Sequence, residues 1–219
     1  AALVAVHLPS TPRDDTPGWG RFAVAFRVAR ERPVVGRLVV SLASFSLLSL
    51  PYVGLFPAVA ELNYGIDADG STYRWLYTVW GLGACIGGLS VGTVLARRDA
   101  RLLIRVGFAG FAVSMLAFAA ARTAGPAFVA AFVLGAWYFL TTTAMQTVFV
   151  GRLELALRAR VMALWFMAFG GTVPLGNLIF GPLVDRWGAR WLLVMGGLWA
   201  AVLAWWCDVA RLDRVAGRT

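Results

Sequence analysis

Between Arg160 and Asp185 the chain runs for 24 residues, Val161 to Val184, without a charge. That is about the length a helix needs to cross the hydrocarbon core of a bilayer. Gly170, Gly171, Pro174, Gly176, Gly181 and Pro182 fall inside the run, and each would weaken a soluble helix. A membrane helix tolerates them, because neighbouring helices re-satisfy the backbone groups they free. The segment reads as one membrane helix in a bundle.

Five further apolar runs accompany it: roughly Val34 to Ala60, Tyr73 to Ala96, Leu102 to Ala121, Pro126 to Val150 and Trp191 to Cys207. Each of the six is ~17–27 residues long, enough for one crossing. The connections are short. With 60% hydrophobic and 14% charged residues, the chain departs from a soluble domain, which carries about a quarter charged. Its mean hydropathy of +0.74 fits a protein whose outer surface is solvated by lipid. The fold class expected is all-α, a polytopic bundle of six transmembrane helices over residues 34–209.

The arginines supply a direction. All twenty basic residues are arginine, which codon usage explains more simply than function does. If both ends share the cytoplasmic side, the inner segments hold Arg13, Arg21, Arg27, Arg30, Arg32, Arg37, Arg97, Arg98, Arg101, Arg105, Arg152, Arg158, Arg160, Arg211, Arg214 and Arg218. The outer segments hold Arg74, Arg122, Arg186 and Arg190. Sixteen against four is a strong positive-inside asymmetry. It predicts a multi-pass protein of the cell (plasma or inner) membrane with both termini cytoplasmic. The same distribution argues against nucleic acid as the partner of the +9 net charge, since the basic residues lie between apolar runs and not along one polar face.

Residues 1–10 are too short to cross alone and read as the end of a preceding transmembrane helix. Residues 11–33 read as a cytoplasmic linker. Trp19, Phe22 and Phe26 fall on one helical face there, beside Arg21, Arg27, Arg30 and Arg32. This fits a short helix on the membrane surface, or a solvated linker for part of its length. Residues 210–219 form a cytoplasmic tail. Without an initiator methionine, the chain is expected to be a fragment of a longer protein or a processed piece.

Chemistry of the catalytic kind finds few residues. His7 is the single histidine, which leaves little support for histidine metal sites or catalytic triads. Cys85 and Cys207 both lie in apolar runs, so no disulfide framework is expected. Neither a metal, nor a cofactor, nor enzymatic activity is expected.

Within the runs, small and polar residues are the informative ones. Gly83 and Gly87, and Gly88 and Gly92, are spaced one helical turn apart, which lets two helices approach closely. Such spacing serves close packing or a hinge, with packing the stronger reading. Thr141, Thr142, Thr143 and Gln146 cluster in the fourth run and Asn177 lies in the fifth. They either line a cavity or hydrogen-bond between helices.

The loop Gly92 to Arg101 (GTVLARRDAR) resembles the signature loop of the major facilitator superfamily, a glycine, then Asp-Arg, then Gly-Arg-Arg. Gly92, Arg97 and Arg101 match; Ala96 replaces the aspartate and Asp99 the second glycine. A more literal match, Gly181 to Arg190 (GPLVDRWGAR), follows the fifth run and falls on the outer side by the arginine census. It reads as a local helix end. The order of features over nearly the whole chain is more specific. It comprises an arginine-rich lead-in, a proline-containing span, a glycine-rich span, Met145-Gln146-Thr147, Arg158 to Met162, Pro174 to Gly176 and Asp185 to Gly188. That order is similar to the C-terminal six-helix half of exporters in the branch holding the enterobactin (siderophore) exporter and related multidrug permeases.

The resemblance implies a twelve-helix fold whose N-terminal half is missing from this chain, and an alternating-access exporter of a small amphipathic, drug-like or siderophore-like molecule. It makes the fifth run helix eleven, with Gly170, Gly171, Pro174 and Gly176 at a bendable centre; tight packing without motion is the equal alternative. Thr141, Thr142, Gln146 and Asn177 become substrate-pathway candidates. Arg97, Arg101, Arg158 and Arg160 become cytoplasmic gate-loop candidates, although orientation by positive charge would suffice for them. The partners implied are the bilayer, a small-molecule substrate and protons as coupling ion. With no acid inside these six runs, a proton-coupled cycle would take its carboxylate from the other half.

Other classes fit less well. A six-span serine protease needs a Gly-x-Ser-Gly segment and a buried histidine, which the runs lack. The membrane domain of an ATP-driven exporter needs longer cytoplasmic helices than these loops permit. A non-transporting fragment or scaffold stays open.

Overall fold

A computed structural model describes Arg27, residues 30–153 and residues 155–208, without the side chains of 155–157 and 159–161. The expected helix end at 1–10, most of the linker over 11–33 and the tail at 210–219 lie outside the described residues. Among the described residues every regular element is a helix. In chain order these are α1 (Pro33–Leu48), α2 (Pro51–Gly54), α3 (Phe56–Tyr64), α4 (Ser71–Gly92), α5 (Ala100–Ala120), α6 (Ala124–Gly151), α7 (Leu155–Phe166), a π-helical segment (Met167–Gly171), α8 (Thr172–Trp187) and α9 (Ala189–Trp206).

Six stretches are long and apolar enough to cross a membrane: Pro33–Gly54, Ser71–Gly92, Ala100–Ala120, Ala124–Gly151, Met162–Trp187 and Ala189–Trp206. They coincide with the six apolar runs to within a few residues at most ends. The protein is a multi-pass, all-helical membrane bundle.

Two boundaries differ from the sequence expectation, each for a local reason. The first run is three helices. Pro51 has no N–H to donate and its ring crowds the carbonyl four residues back, so α1 stops at Leu48. Ser49 and Leu50 then both donate to the Phe45 carbonyl, at 2.8 and 3.2 Å. Helix α3 closes on a left-handed glycine: Gly65, at φ +63°, donates to the Glu61 carbonyl and Ile66 to that of Ala60. The second run ends at Gly92 and not at Ala96. Beyond it the Thr93 hydroxyl donates to the Leu89 carbonyl, and Leu95 donates back to Ser90. Helix α5 then starts at a cap, the Asp99 carboxylate accepting from the Arg101 amide at 2.9 Å.

Helix α4 packs along α6, α6 along α5, and α5 along α9, while α1 lies against α8, the π segment and α9. Without a hydrophobic drive between helices in lipid, close backbone approach carries the association. Gly83, Gly87 and Gly135 supply it between α4 and α6: a Cβ on Gly87 would fall 2.6 Å from the Ala136 carbonyl carbon, and one on Gly83 2.9 Å from that of Phe132. On the opposite side of that seam, Gly135 meets Trp80 and Ala84 backbone. Gly83 and Gly87 are therefore packing glycines. Gly88 makes ordinary contact with Phe139 and Thr143, and Gly92 stands in open space. At the centre of the bundle Phe45 meets Phe108 and Phe111 edge-on, with centroids 5.2 and 4.9 Å apart.

Coverage is uneven. The crossing windows of α1 and α5 are 56% buried, those of α4 and the fifth span only 33% and 28%. These two spans carry the largest uncovered faces.

Candidate functional site

Helix α6 divides its polar residues between two faces. Thr141 is fully buried; its hydroxyl donates to the Trp137 carbonyl at 2.6 Å, and it sits where a Cβ on Gly107 of α5 would fall. It is an internal contact with α5. Thr142, Thr143, Gln146 and Thr147 lie on the part-exposed face, with Gln146 and Thr147 exposed. Thr142 returns its hydroxyl to the Tyr138 carbonyl at 3.1 Å. Thr142 and Gln146, one turn apart, share a face; Thr141 does not.

Phe139 extends that face and is 39% exposed. From it a chain of rings crosses to α4: Phe139 to Tyr138 at 4.8 Å, Tyr138 stacked on Trp80 at 6.0 Å, and Trp80 to Tyr77 at 5.3 Å. Tyr77 also meets Phe56 of α3 edge-on at 5.3 Å, and its ring is 41% exposed. Behind them the Trp80 indole donates to the buried Tyr52 hydroxyl at 3.2 Å. Sequence reasoning missed this ledge. Its signal was the i, i+4, i+7 spacing of Tyr73, Tyr77 and Trp80, which sets three aromatic rings along one side of α4.

Asn177 stands elsewhere, with α1 packing against both α6 and α8. It and Gly176 meet the broken end of the first span. The Asn177 carboxamide occupies the space a Cβ on Gly54 would need, 2.7 Å from Asn177 Cγ. Its Oδ1 is buried and accepts no hydrogen bond among the described residues.

The glycine–proline centre of the fifth span splits by role. Pro174 cannot donate to the carbonyl of Gly170 and crowds it, and the helix widens into the π-helical turn Met167–Gly171 immediately before it. π turns of this kind recur at functional sites. Both Gly170 and Gly171 are exposed, with nothing within 4 Å of a Cβ. Gly176 is buried and tight: a Cβ there would fall 2.7 Å from the Leu47 carbonyl oxygen and from Pro51 Cγ.

At the arginine-rich end the expected gate residues take different places. Arg101 holds its neighbour Asp99 through its Nε, at 3.0 and 3.1 Å. Hydrogen bonds from the Arg101 side chain and amide keep that carboxyl below the usual carboxylate range. Arg97 is exposed. The Nε of Arg158 is buried with no hydrogen-bond partner among the described residues, and the Arg160 side chain lies outside them. The contacts that join spans come from other arginines. Arg37 donates to the Trp206 carbonyl at 3.2 Å and lies 4.5 Å over its ring. Arg105 pairs with Asp208 at 3.4 Å, and Arg32 donates to the Arg152 carbonyl at 2.8 Å. Arg105 and Asp208 are thus partners across α5 and the end of α9. These contacts gather the start of α1, the start of α5, the end of α6 and the end of α9 at one end of the bundle. Asp185 and Arg186, from the literal signature match, stand exposed at the other, with no ion pair among the described residues. No group of three or more His, Cys, Asp or Glu suited to a metal occurs among the described residues.

A buried seam, an uncovered aromatic–polar face and an interrupted first span belong to a multi-pass helical membrane domain. The chain matches the transmembrane secretion effector family over residues 17–216, nearly its whole length, and belongs to that family of the major facilitator superfamily. Among curated proteins there is no match. Membership makes this a major-facilitator-type transporter, a class of proteins that are generally not enzymes, acting on a small-molecule substrate in a membrane.

Proposed function

We propose that the chain is the C-terminal six-helix half of an alternating-access exporter of a small amphipathic, drug-like or siderophore-like molecule, its arginine-rich end cytoplasmic. The observation that carries this reading is the exposed ledge of Tyr77, Phe139, Thr142 and Gln146, an aromatic and hydrogen-bonding surface shared by α4 and α6. A polar surface at that depth is costly against lipid, so a second six-helix unit would close over it, over α4 and over the fifth span. The substrate would lie between the halves and be released as they rock about the π turn of the fifth span. The arginine census supports the orientation. Among the described crossing segments the only acid is Asp185, at the end of the fifth, so proton coupling would draw on a carboxylate of the other half.

The test is efflux of an amphipathic dye from liposomes holding the full-length protein, with and without a proton gradient. We expect efflux above the leak of empty liposomes, several-fold slower in Tyr77→Ala and Gln146→Leu. The isolated 219 residues should show none. Normal efflux in both variants would remove the ledge from the pathway, and efflux by the isolated chain would defeat the half-transporter reading.

A further inference from the structure

Away from the ledge, a groove of about 690 Å³ runs down the outer side of α9, between it and the end of α1. Leu48, Leu198 and Val202 are among its walls, and its one charged lining residue is Arg190. Trp187 and Trp191, 5.3 Å apart edge-on, stand beside Arg190 at the mouth. Tryptophans of this kind mark the headgroup level of a bilayer.

We infer that this groove is a binding site for an anionic glycerophospholipid, one acyl chain lying along α9 and the phosphate on Arg190. Length is the first argument. From Arg190 to Val202 is twelve helical residues, about 18 Å, against about 15 Å for the hydrocarbon depth of one leaflet. A chain that starts at the headgroup level and runs to mid-bilayer fills the groove from end to end. Charge is the second. The Arg190 guanidinium has five donors and makes one long hydrogen bond, 3.4 Å to the Ala121 carbonyl. It is half-buried and lines the groove, and a guanidinium placed there offers a phosphate two donors side by side. Asp185 stands exposed at the end of α8, before the Gly188 break that separates it from Arg190, and exposed Arg186 adjoins it. Selectivity for an anion then rests on Arg190, which lines the groove, and not on general surface charge.

The experiment counts lipids retained by the full-length protein in native mass spectrometry, after extraction from membranes of equal phosphatidylglycerol and phosphatidylcholine. The wild type should retain phosphatidylglycerol about five-fold over phosphatidylcholine, the weight of one basic residue at an anionic lipid surface. Arg190→Lys should keep most of that preference and Arg190→Gln should lose it, while Arg186→Gln leaves it unchanged. Leu198→Trp, which fills the groove without altering charge, should lower retention of both lipids. Equal retention by the wild type, or equal loss in the Arg186 and Arg190 variants, overturns the site. Unchanged retention in Leu198→Trp also overturns it, and decides the matter alone if Arg190→Gln does not fold.

Discussion

Gly176 of α8 meets Pro51 of α2 so closely that a Cβ on the glycine would lie 2.7 Å from the proline Cγ and equally near the Leu47 carbonyl oxygen. The proline breaks the first span, and the glycine lets the fifth span seat against the break. On the far side Ser49 donates to the Gly196 carbonyl at 2.8 Å. The interruption is thus gripped from α8 and from α9. Gly176→Val places two methyl groups where none fits. Overpacking of this kind costs about 1–3 kcal/mol. Thermal unfolding in detergent should show Gly176→Val well below the wild type, and Gly176→Ala between them.

Gly170 and Gly171 give the opposite expectation, six and five residues before Gly176. A Cβ at either meets nothing within 4 Å, and alanine lowers the backbone entropy lost on folding. Each Gly→Ala change should leave stability equal or raise it by up to about 1 kcal/mol. If the π turn is where the fifth span bends, the double variant should nevertheless slow dye efflux several-fold. Faster or unchanged efflux from a stable double variant would assign the turn to static packing.

Much of this arrangement was legible in the residues. The six crossings were, because lipid forces each span to be long, apolar and helical. The break at Pro51 was not, because a membrane span tolerates a proline and the residues alone do not say whether it bends or ends there. That Gly176 and Asn177 answer Pro51 and Gly54 was not, since helix pairing in a membrane depends on shape complementarity between segments far apart in the chain. Among the arginines, the same limit separates side from partner. Their crowding at alternate loops predicted one arginine-rich end, but not that Arg37 seeks the carbonyl of Trp206 or that Arg105 faces Asp208. Of the substrate-pathway candidates, Thr141 and Thr142 are neighbours of one chemistry. Only the rotation of α6, fixed by its seam with α5, turns one inward and the other to the ledge.

The Asp99 cap gives a dependence on pH. Its carboxylate accepts from the Arg101 amide and side chain, which hold its folded pKa below the ordinary value, about 3.9 in an unfolded chain. A carboxyl depressed on folding adds stability that is fully present above the unfolded value and is lost as pH falls through the folded one. Asp99→Ala should therefore cost about 0.5–1 kcal/mol at pH 7, the low end for a lost helix cap because the pair is exposed and screened. The difference between wild type and variant should shrink below about pH 4 and narrow at high salt. Melting curves across pH 3 to 7 measure it.

Asn177 discriminates between a lining role and a helix–helix hydrogen bond. An amide that bridges two helices stabilises them, and its removal costs about 1 kcal/mol or more. Here Oδ1 is buried and accepts from none of the described residues, so it contributes desolvation without a compensating bond. Asn177→Ala removes that acceptor and relaxes the tight contact with Gly54. Thermal stability should then stay within about 1 kcal/mol of the wild type or rise, since losing an unpaired buried polar group is near neutral. If the oxygen waits for a donor on the substrate, efflux in the same variant should fall by about ten-fold, the loss expected for one hydrogen bond of about 1.4 kcal/mol. A variant that melts early but transports normally once folded would place Asn177 in packing alone.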